Sequence, residues 1–324
     1  MIRNVLRKLK RKVRMRLSGS APIILMYHRV ADISIDPWDM AVHPSRFNEQ
    51  IDALKRTRRV VHLKELAQAE ARRSRHDKPI AAVTFDDGYW DVYSNARNIL
   101  QRYDCPMTLF VATGAIGSDR EFWWDALTRV LLETPSLPVE LVMKIAKKHI
   151  RLRVPPAADK IGRNKVYHEV WASLREHSHE VQDQCITEIS SWAGCEITAR
   201  PGYRAMTREE VRSISDGLIS IGAHTINHPV LPAHSLETQY KEIVGSRSEC
   251  EALTGCSVDT FAYPFGDYDD RTLSAVRRAG FEYAYTSHGG VAGPGADPLH
   301  LPRLQIGNWD GDEFLRKLAS GSFQ

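Results

Sequence analysis

A chain of 324 residues, 43% hydrophobic and 26% charged, has the composition of an ordinary globular protein, with room for one large domain or two smaller ones. Its net charge of +4 comes from one segment: residues 1–17 hold eight of the 44 Lys and Arg and no acid, leaving 36 basic residues against 40 acidic in the remainder. A mildly acidic body argues against a nucleic-acid partner. No window approaches the run of about 18 apolar residues that a membrane-spanning helix needs. Five scattered cysteines imply no disulfide framework.

Residues 1–17 place Ile2, Val5, Leu6, Leu9, Val13 and Leu17 at helical spacing among the cations. That pattern predicts a basic amphipathic helix suited to an anionic membrane surface. The apolar stretch that follows, APIILMY, is too short for a secretory signal and no small-residue cleavage site follows it. The expected location is therefore cytoplasmic, peripheral on the inner face of the membrane.

From about residue 22 strands and helices alternate. PIILMYH reads as a buried strand and PSRFNEQIDALKRT as a helix opened by Pro44. RVVHL is a short strand, KELAQAEARR a helix, IAAVTFDD a strand, WDVYSNARNILQRY a helix and MTLFVAT a strand. Residues 119–205 break the rhythm and read as a mainly helical insertion. Alternation resumes with helix MTREEVRSIS, strand LISIGAHT and a long helix capped by Ser235. Strand TFAYPF, helix DDRTLSAVRRAG, strands YAYTS and LPRLQI and helix DEFLRKLAS complete the chain. Seven or eight buried strands between helices predict a parallel α/β architecture, with the site at the carboxyl ends of the strands. The expected organisation is a tail (1–17), two halves of one α/β body (18–118 and 206–324) and the insertion (119–205).

The predicted strand ends gather polar residues of metal-ligand and acid–base type. AAVTFDDGYW ends a strand on two adjacent carboxylates, Asp86 and Asp87. GAHTINHPVL sets His224 and His228 four residues apart, so that both imidazoles can face one point. Two histidines and one carboxylate give a borderline metal three protein ligands and leave a position open. The second carboxylate, unligated, can then take a proton from water.

TFDDG together with HTINH closely resembles the NodB-homology polysaccharide deacetylases, carbohydrate esterase family 4. The resemblance implies a distorted (β/α) barrel of about seven parallel strands. It also implies that Asp86 is the general base and that Asp87, His224 and His228 bind one divalent ion, read as zinc. The family's third motif carries an arginine that holds the base and a backbone N–H that polarises the oxyanion. Here FAYPFG puts Ala262 in the arginine's place and Phe265 in the aromatic's. Tyr263 and Phe265 are therefore expected at the oxyanion and substrate, and Arg303 in LPRLQI is a candidate to orient the base. The family's usual C-terminal general-acid histidine has no counterpart in LPRLQI. In permuted members the acid lies on an N-terminal strand ending YH, which assigns His28, ahead of His288 and His300.

The activity expected from the resemblance is metal-dependent N-deacetylation of an N-acetylated amino sugar, in a polysaccharide or lipid-linked precursor. The competing readings are an amidase or deformylase on a non-sugar amide, and a silent glycan-binding barrel that Ala262 would favour. Trp123 and Trp124, in EFWWDAL, are expected to pack between helices or to stack on sugar.

Overall fold

Register is what assembles the strand ends. In the computed structural model, which describes residues 21–66, 72, 74, 76–292 and 295–321, Tyr27 pairs with Phe85 and Val111 with Ala223. Ala223 also pairs with Phe261. His28 and Asp86 thus leave β1 and β5 at one level, and Ala112 and His224 leave β6 and β9 two residues farther along, since Phe85 pairs with Leu109; all four stand on one rim, beside Ala262 at the end of β10.

The strands are β1 (Ile23–Tyr27), β2 (Arg29–Val30), β3 (Ala41–Val42), β4 (Arg59–Val60), β5 (Ile80–Phe85), β6 (Met107–Val111), β7 (Glu140–Ile145), β8 (Lys148–Arg153), β9 (Ile219–Ala223), β10 (Thr260–Ala262), β11 (Tyr283–Tyr285) and β12 (Leu304–Gln305). Seven of them form a parallel path in the order β11-β10-β9-β6-β5-β1-β12, with β4 pairing on the start of β5. The path curls into a distorted (β/α) barrel. Its seam lies where β11 meets the segment entering β12: Thr286 N–H donates to Leu301 O at 2.9 Å, and Leu301 N–H to Ala284 O at 2.9 Å.

Alternation along a strand sends successive side chains to opposite faces. Ile23, Leu25, Tyr27, Ala81, Val83 and Phe85 join the large outer core beneath the helices. Ile24, Ile80, Ala82, Phe110, Ala262 and Tyr285 form a smaller cluster inside the barrel. Gly222 of β9 is required there, because a Cβ would sit 2.5 Å from the Phe110 ring.

The helices are α1 (Pro44–Thr57), α2 (Arg97–Arg102), α3 (Trp123–Thr128), α4 (Lys160–Leu174), α5 (His179–Ala193), α6 (Arg208–Ile214), α7 (Leu236–Thr254), α8 (Asp270–Arg278) and α9 (Gly311–Ser320). Pro44 opens α1 as expected, and α1 buries Phe47, Ile51 and Leu54 against the sheet. Each such side chain contributes roughly 1.5–3 kcal/mol. The Ser235 hydroxyl caps α7 by accepting from Thr238 N–H at 3.2 Å.

The structure departs from the sequence reading in two places. Residues 119–205 are not helical throughout: β7 and β8 form an antiparallel hairpin within them. Its alternation of apolar with charged residues is a strand period that the abundance of Lys and Glu obscures. The helix expected over KELAQAEARR lies largely outside the described residues, as residues 1–17 do entirely; a 3-10 turn, Leu63–Glu65, stands at its start. The short pair β2–β3 had no counterpart in the expectation. Among the described residues no helix is long and apolar enough to cross a membrane.

Candidate active site

The two carboxylates part company within one residue. Ala82, Thr84 and Asp86 share the inner face of β5, so Asp86 points into the barrel, where Arg303 meets it. The guanidinium donates to both carboxylate oxygens, Nη1 to Oδ1 at 2.7 Å and Nη2 to Oδ2 at 2.6 Å. Arg303 is wholly buried at the seam, and its Nε–H also donates to Thr286 O at 3.1 Å. It is therefore an internal residue and no surface ion pair.

Asp87 has a left-handed backbone, φ 72°, which breaks the alternation and carries its carboxylate to the histidines instead. Its Oδ1 lies 3.5 Å from His224 Nε2 and 3.4 Å from His228 Nε2.

The histidine loop is held from behind. His224 Nδ1 lies 2.8 Å from Ala262 O; with the proton on Nδ1, Nε2 turns a lone pair toward Asp87. An outer-shell carbonyl of this kind fixes the tautomer of a ligating histidine. Glu242 of α7 accepts from the N–H groups of Ile226 and Asn227 at 2.9 and 2.8 Å, pinning the turn between the two histidines. Asp87, Thr225, His228 and Phe265 all have positive φ (72°, 65°, 55° and 58°). Each such non-glycine residue costs on the order of 1–3 kcal/mol, and all four stand at this one rim.

The electrostatics follow from burial. Burial opposes the Asp86 charge, but Arg303 and then His224 hold the carboxyl below its usual range. Burial likewise opposes the charge of Asp87, which the two histidines keep ionised, well below the usual range. Burial pushes His228 down to about 3. Burial favours the neutral form of His224 too, yet Asp87 and Asp86 together hold its imidazole above the ordinary value. Two carboxylates thus draw positive charge to one buried point. Asp87, His224 and His228 offer three ligand atoms within 4.8 Å of one another. Asp87 Oδ1 is buried with no hydrogen-bond partner among the described residues. A buried, unpartnered carboxylate oxygen facing two imidazole nitrogens fits the donor set of a catalytic zinc site.

The site opens into a cavity of about 270 Å³. His28, half-buried, lines it, whereas His288 and His300 do not. His300 instead stacks on Tyr268 and lies 3.8 Å from Asp297. Phe265 lines the cavity with its ring 4.6 Å from that of His228. Tyr263 reaches the wall, but its hydroxyl is committed to Leu299 O at 2.7 Å, so no free phenol faces a substrate.

Trp124 lines the cavity with its ring 5.0 Å from that of His228, while Trp123 packs behind it against Trp171. Trp38, Trp171 and Arg175 complete the wall and were not singled out in the sequence. Trp38 and Trp171 sit 4.3 Å apart, brought together from the β2–β3 loop and α4.

Behind Trp124 lies a second buried charge cluster. Its indole donates to Tyr89 Oη at 2.8 Å, and Tyr89 donates to Asp125 Oδ2 at 2.6 Å. Arg29 bonds Asp91 at 2.9 Å and lies 3.8 Å from Asp125. One guanidinium thus faces two carboxylates, and burial drives the Asp125 carboxyl up to about 7. The available signals were Arg29 directly after His28, and Tyr89 and Asp91 within three residues of DDG.

A sequence profile described as polysaccharide deacetylase matches residues 73–150 and 162–284, running through most of segment 119–205. A putative polysaccharide deacetylase, YxkH of Bacillus subtilis, is 28% identical over 104 residues. That alignment spans 32% of this chain and 37% of the relative. A poly-beta-1,6-N-acetyl-D-glucosamine N-deacetylase of Staphylococcus aureus is 21% identical over 282 residues, 87% of this chain and 72% of the relative. The solved deacetylase PplD of Streptococcus pyogenes, in complex with acetate, superposes with a TM-score of 0.59 at 20% identity, covering 93% of this chain and 99% of that one. IcaB from Ammonifex degensii gives 0.59 at 19%, covering 93% and 97%. At these identities the superpositions show the fold.

The Asp125 cluster makes stability depend on pH. Between the usual carboxylate range and about pH 7, the folded chain keeps on Asp125 a proton that the unfolded chain has lost. Stability therefore falls as pH rises through that window. Asp125→Asn, which has no proton to lose, should flatten the decline, by about 1–3 kcal/mol between pH 5 and pH 8. Thermal melts of both proteins across that range check it; parallel curves would contradict the assignment.

Proposed function

Since the chain belongs to the polysaccharide deacetylase family, we propose that it hydrolyses the acetamide of an N-acetylated amino sugar, in a cell-surface polysaccharide or glycolipid precursor. The observation that carries this reading is the division of the carboxylates: Asp86 is held by Arg303, and Asp87 faces His224 and His228. The named activities of the Staphylococcus aureus relative and of PplD support deacetylation.

A divalent ion held by Asp87, His224 and His228, zinc in our reading, would supply Lewis-acid polarisation of the acetamide carbonyl. Asp86 has no ligand role; ionised and oriented by Arg303, it takes the proton of the attacking water. The backbone N–H of Phe265 is the donor assigned to the developing oxyanion. Tyr263 shapes the wall with its ring, its hydroxyl being engaged elsewhere. An amine leaves poorly unless protonated, and His28, on the strand beside Asp86, donates that proton. Trp38, Trp124, Trp171 and Phe265 present aromatic faces to the sugar. The case for a silent glycan-binding barrel weakens, because Arg303 provides the guanidinium that Ala262 lacks.

We assign the enzyme to the cytoplasmic face of the membrane, with residues 1–17 on anionic lipid. The support is the sequence of those residues, which lie outside the described ones. A full chain with its eight tail cations changed to serine should lose salt-sensitive pelleting with anionic vesicles; unchanged pelleting would overturn the assignment.

Acetate release from lipid-linked and free N-acetyl sugars tests the activity. The wild-type protein should release acetate from at least one of them. His224→Ala/His228→Ala should lose both bound metal and activity. His28→Ala should keep its metal and lose roughly 10²–10⁴-fold on the amide, the range for general acid–base groups. It should lose far less on an activated aryl ester, whose leaving group needs no proton. Cleavage of simple amides with no sugar substrate would establish the non-sugar amidase instead.

A further inference from the structure

The hairpin β7–β8 has two faces of opposite character. Directly opposed residues of an antiparallel pair share a face. The inner face pairs Leu141 with Leu152 and Met143 with Ile150, and the hairpin packs on α5, which also contacts α3. The outer face pairs Glu140 with Arg153, Val142 with Arg151 and Lys144 with His149. Lys147, in the turn, and Lys148, the first residue of β8, are both exposed. From Glu140 to Arg153 the chain carries five Lys or Arg and one acid. That acid, Glu140, lies 3.5 Å from Arg151.

Charge alone would be unremarkable, since Lys and Arg on a free sheet edge discourage edge-to-edge aggregation. The apolar residues have no such explanation. Among the described residues four large hydrophobic side chains are exposed, and three lie on or near the hairpin: Val142 (52%) on its outer face, Val139 (77%) just before β7 and Ile161 (73%) in α4. Val139 accepts from Val154 N–H at the open end of the hairpin. Ile161 lies in the first turn of α4, where Gly162 approaches Pro155, two residues past β8.

We propose that this outer face, together with the exposed Val139 and Ile161 near the hairpin's open end, is a second membrane contact, independent of residues 1–17, which seats the hairpin on an anionic lipid surface. Clustered cations meet the headgroup charge, while Val139, Val142 and Ile161 enter the boundary with the acyl chains. A soluble polyanion would use the cations and gain nothing from the three apolar side chains; lipid uses both. Through α5 and α3 the surface is joined to the helix that carries Trp124, so docking would set the active-site wall at a fixed attitude to a lipid-linked substrate.

Sedimentation of the full chain with vesicles tests it, using phosphatidylcholine alone and an equal mixture with phosphatidylglycerol. The variants are Lys144→Ser/Arg151→Ser/Arg153→Ser and Val139→Ser/Val142→Ser/Ile161→Ser. Each is made in the wild-type chain and in the chain whose tail cations are serine, with thermal melts confirming the fold. On mixed vesicles the charge variant should partition on the order of a hundredfold less, about one headgroup interaction per cation. The apolar variant should partition about tenfold less. Acetate release from a soluble substrate should be unchanged in both. Equal partitioning of all forms, in both tail backgrounds, would overturn the proposal. So would loss in the charge variant alone, matched by equal loss of heparin binding, which would make the face a polyanion site.

Discussion

The buried pair between Arg303 and Asp86 is the constraint on which the site depends. Arg303 enters from the seam, where β11 meets the approach to β12, and Asp86 stands at the end of β5, two strands along from β12. Their contact ties the closure of the barrel to the charge of Asp86. Removing one partner of such a pair strands the other charge in a dry interior, at a cost of about 3–5 kcal/mol. The same contact bears on the proposed chemistry. A carboxylate occupied by a bidentate guanidinium has little freedom to turn toward a metal, so in the proposed mechanism the ligand role would fall to its neighbour.

That neighbour is placed by strain rather than by an ion pair. The left-handed φ of Asp87 breaks the strand alternation at the rim, and those of Thr225 and His228 fold the histidine loop back over it. These conformations persist because Glu242 and Ala262 O fix the loop from outside. Trp124, braced by Tyr89 and Asp125, closes the remaining side of His228. Parts of the chain far apart in sequence thus converge on the histidine loop that faces Asp87 Oδ1.

Much of this was legible beforehand, for local reasons. The apolar runs ending in Tyr27, Phe85 and Ala223 announced parallel strands, and carboxylates or histidines directly after such runs announced a site. Pro44 and Ser235 marked helix starts by chemistry that acts within one turn. The division between Asp86 and Asp87 was available only through the family resemblance, since neither carboxylate alone says which way it turns. The burial of Arg303 was illegible, because it depends on the seam closing more than two hundred residues from Asp86. Trp38, Trp171 and Arg175 were missed for the same reason, having no motif and meeting only in the folded wall. The hairpin was hidden because its exposed face is so highly charged that the strand period was read as helix.

The most direct test of this account is a crystal structure of the protein grown with zinc, with diffraction recorded at the zinc absorption edge. One anomalous peak is expected within bonding distance of Asp87, His224 and His228, with both oxygens of Asp86 still on Arg303. An ion ligated by Asp86, or a peak elsewhere with these three side chains unligated, would contradict it.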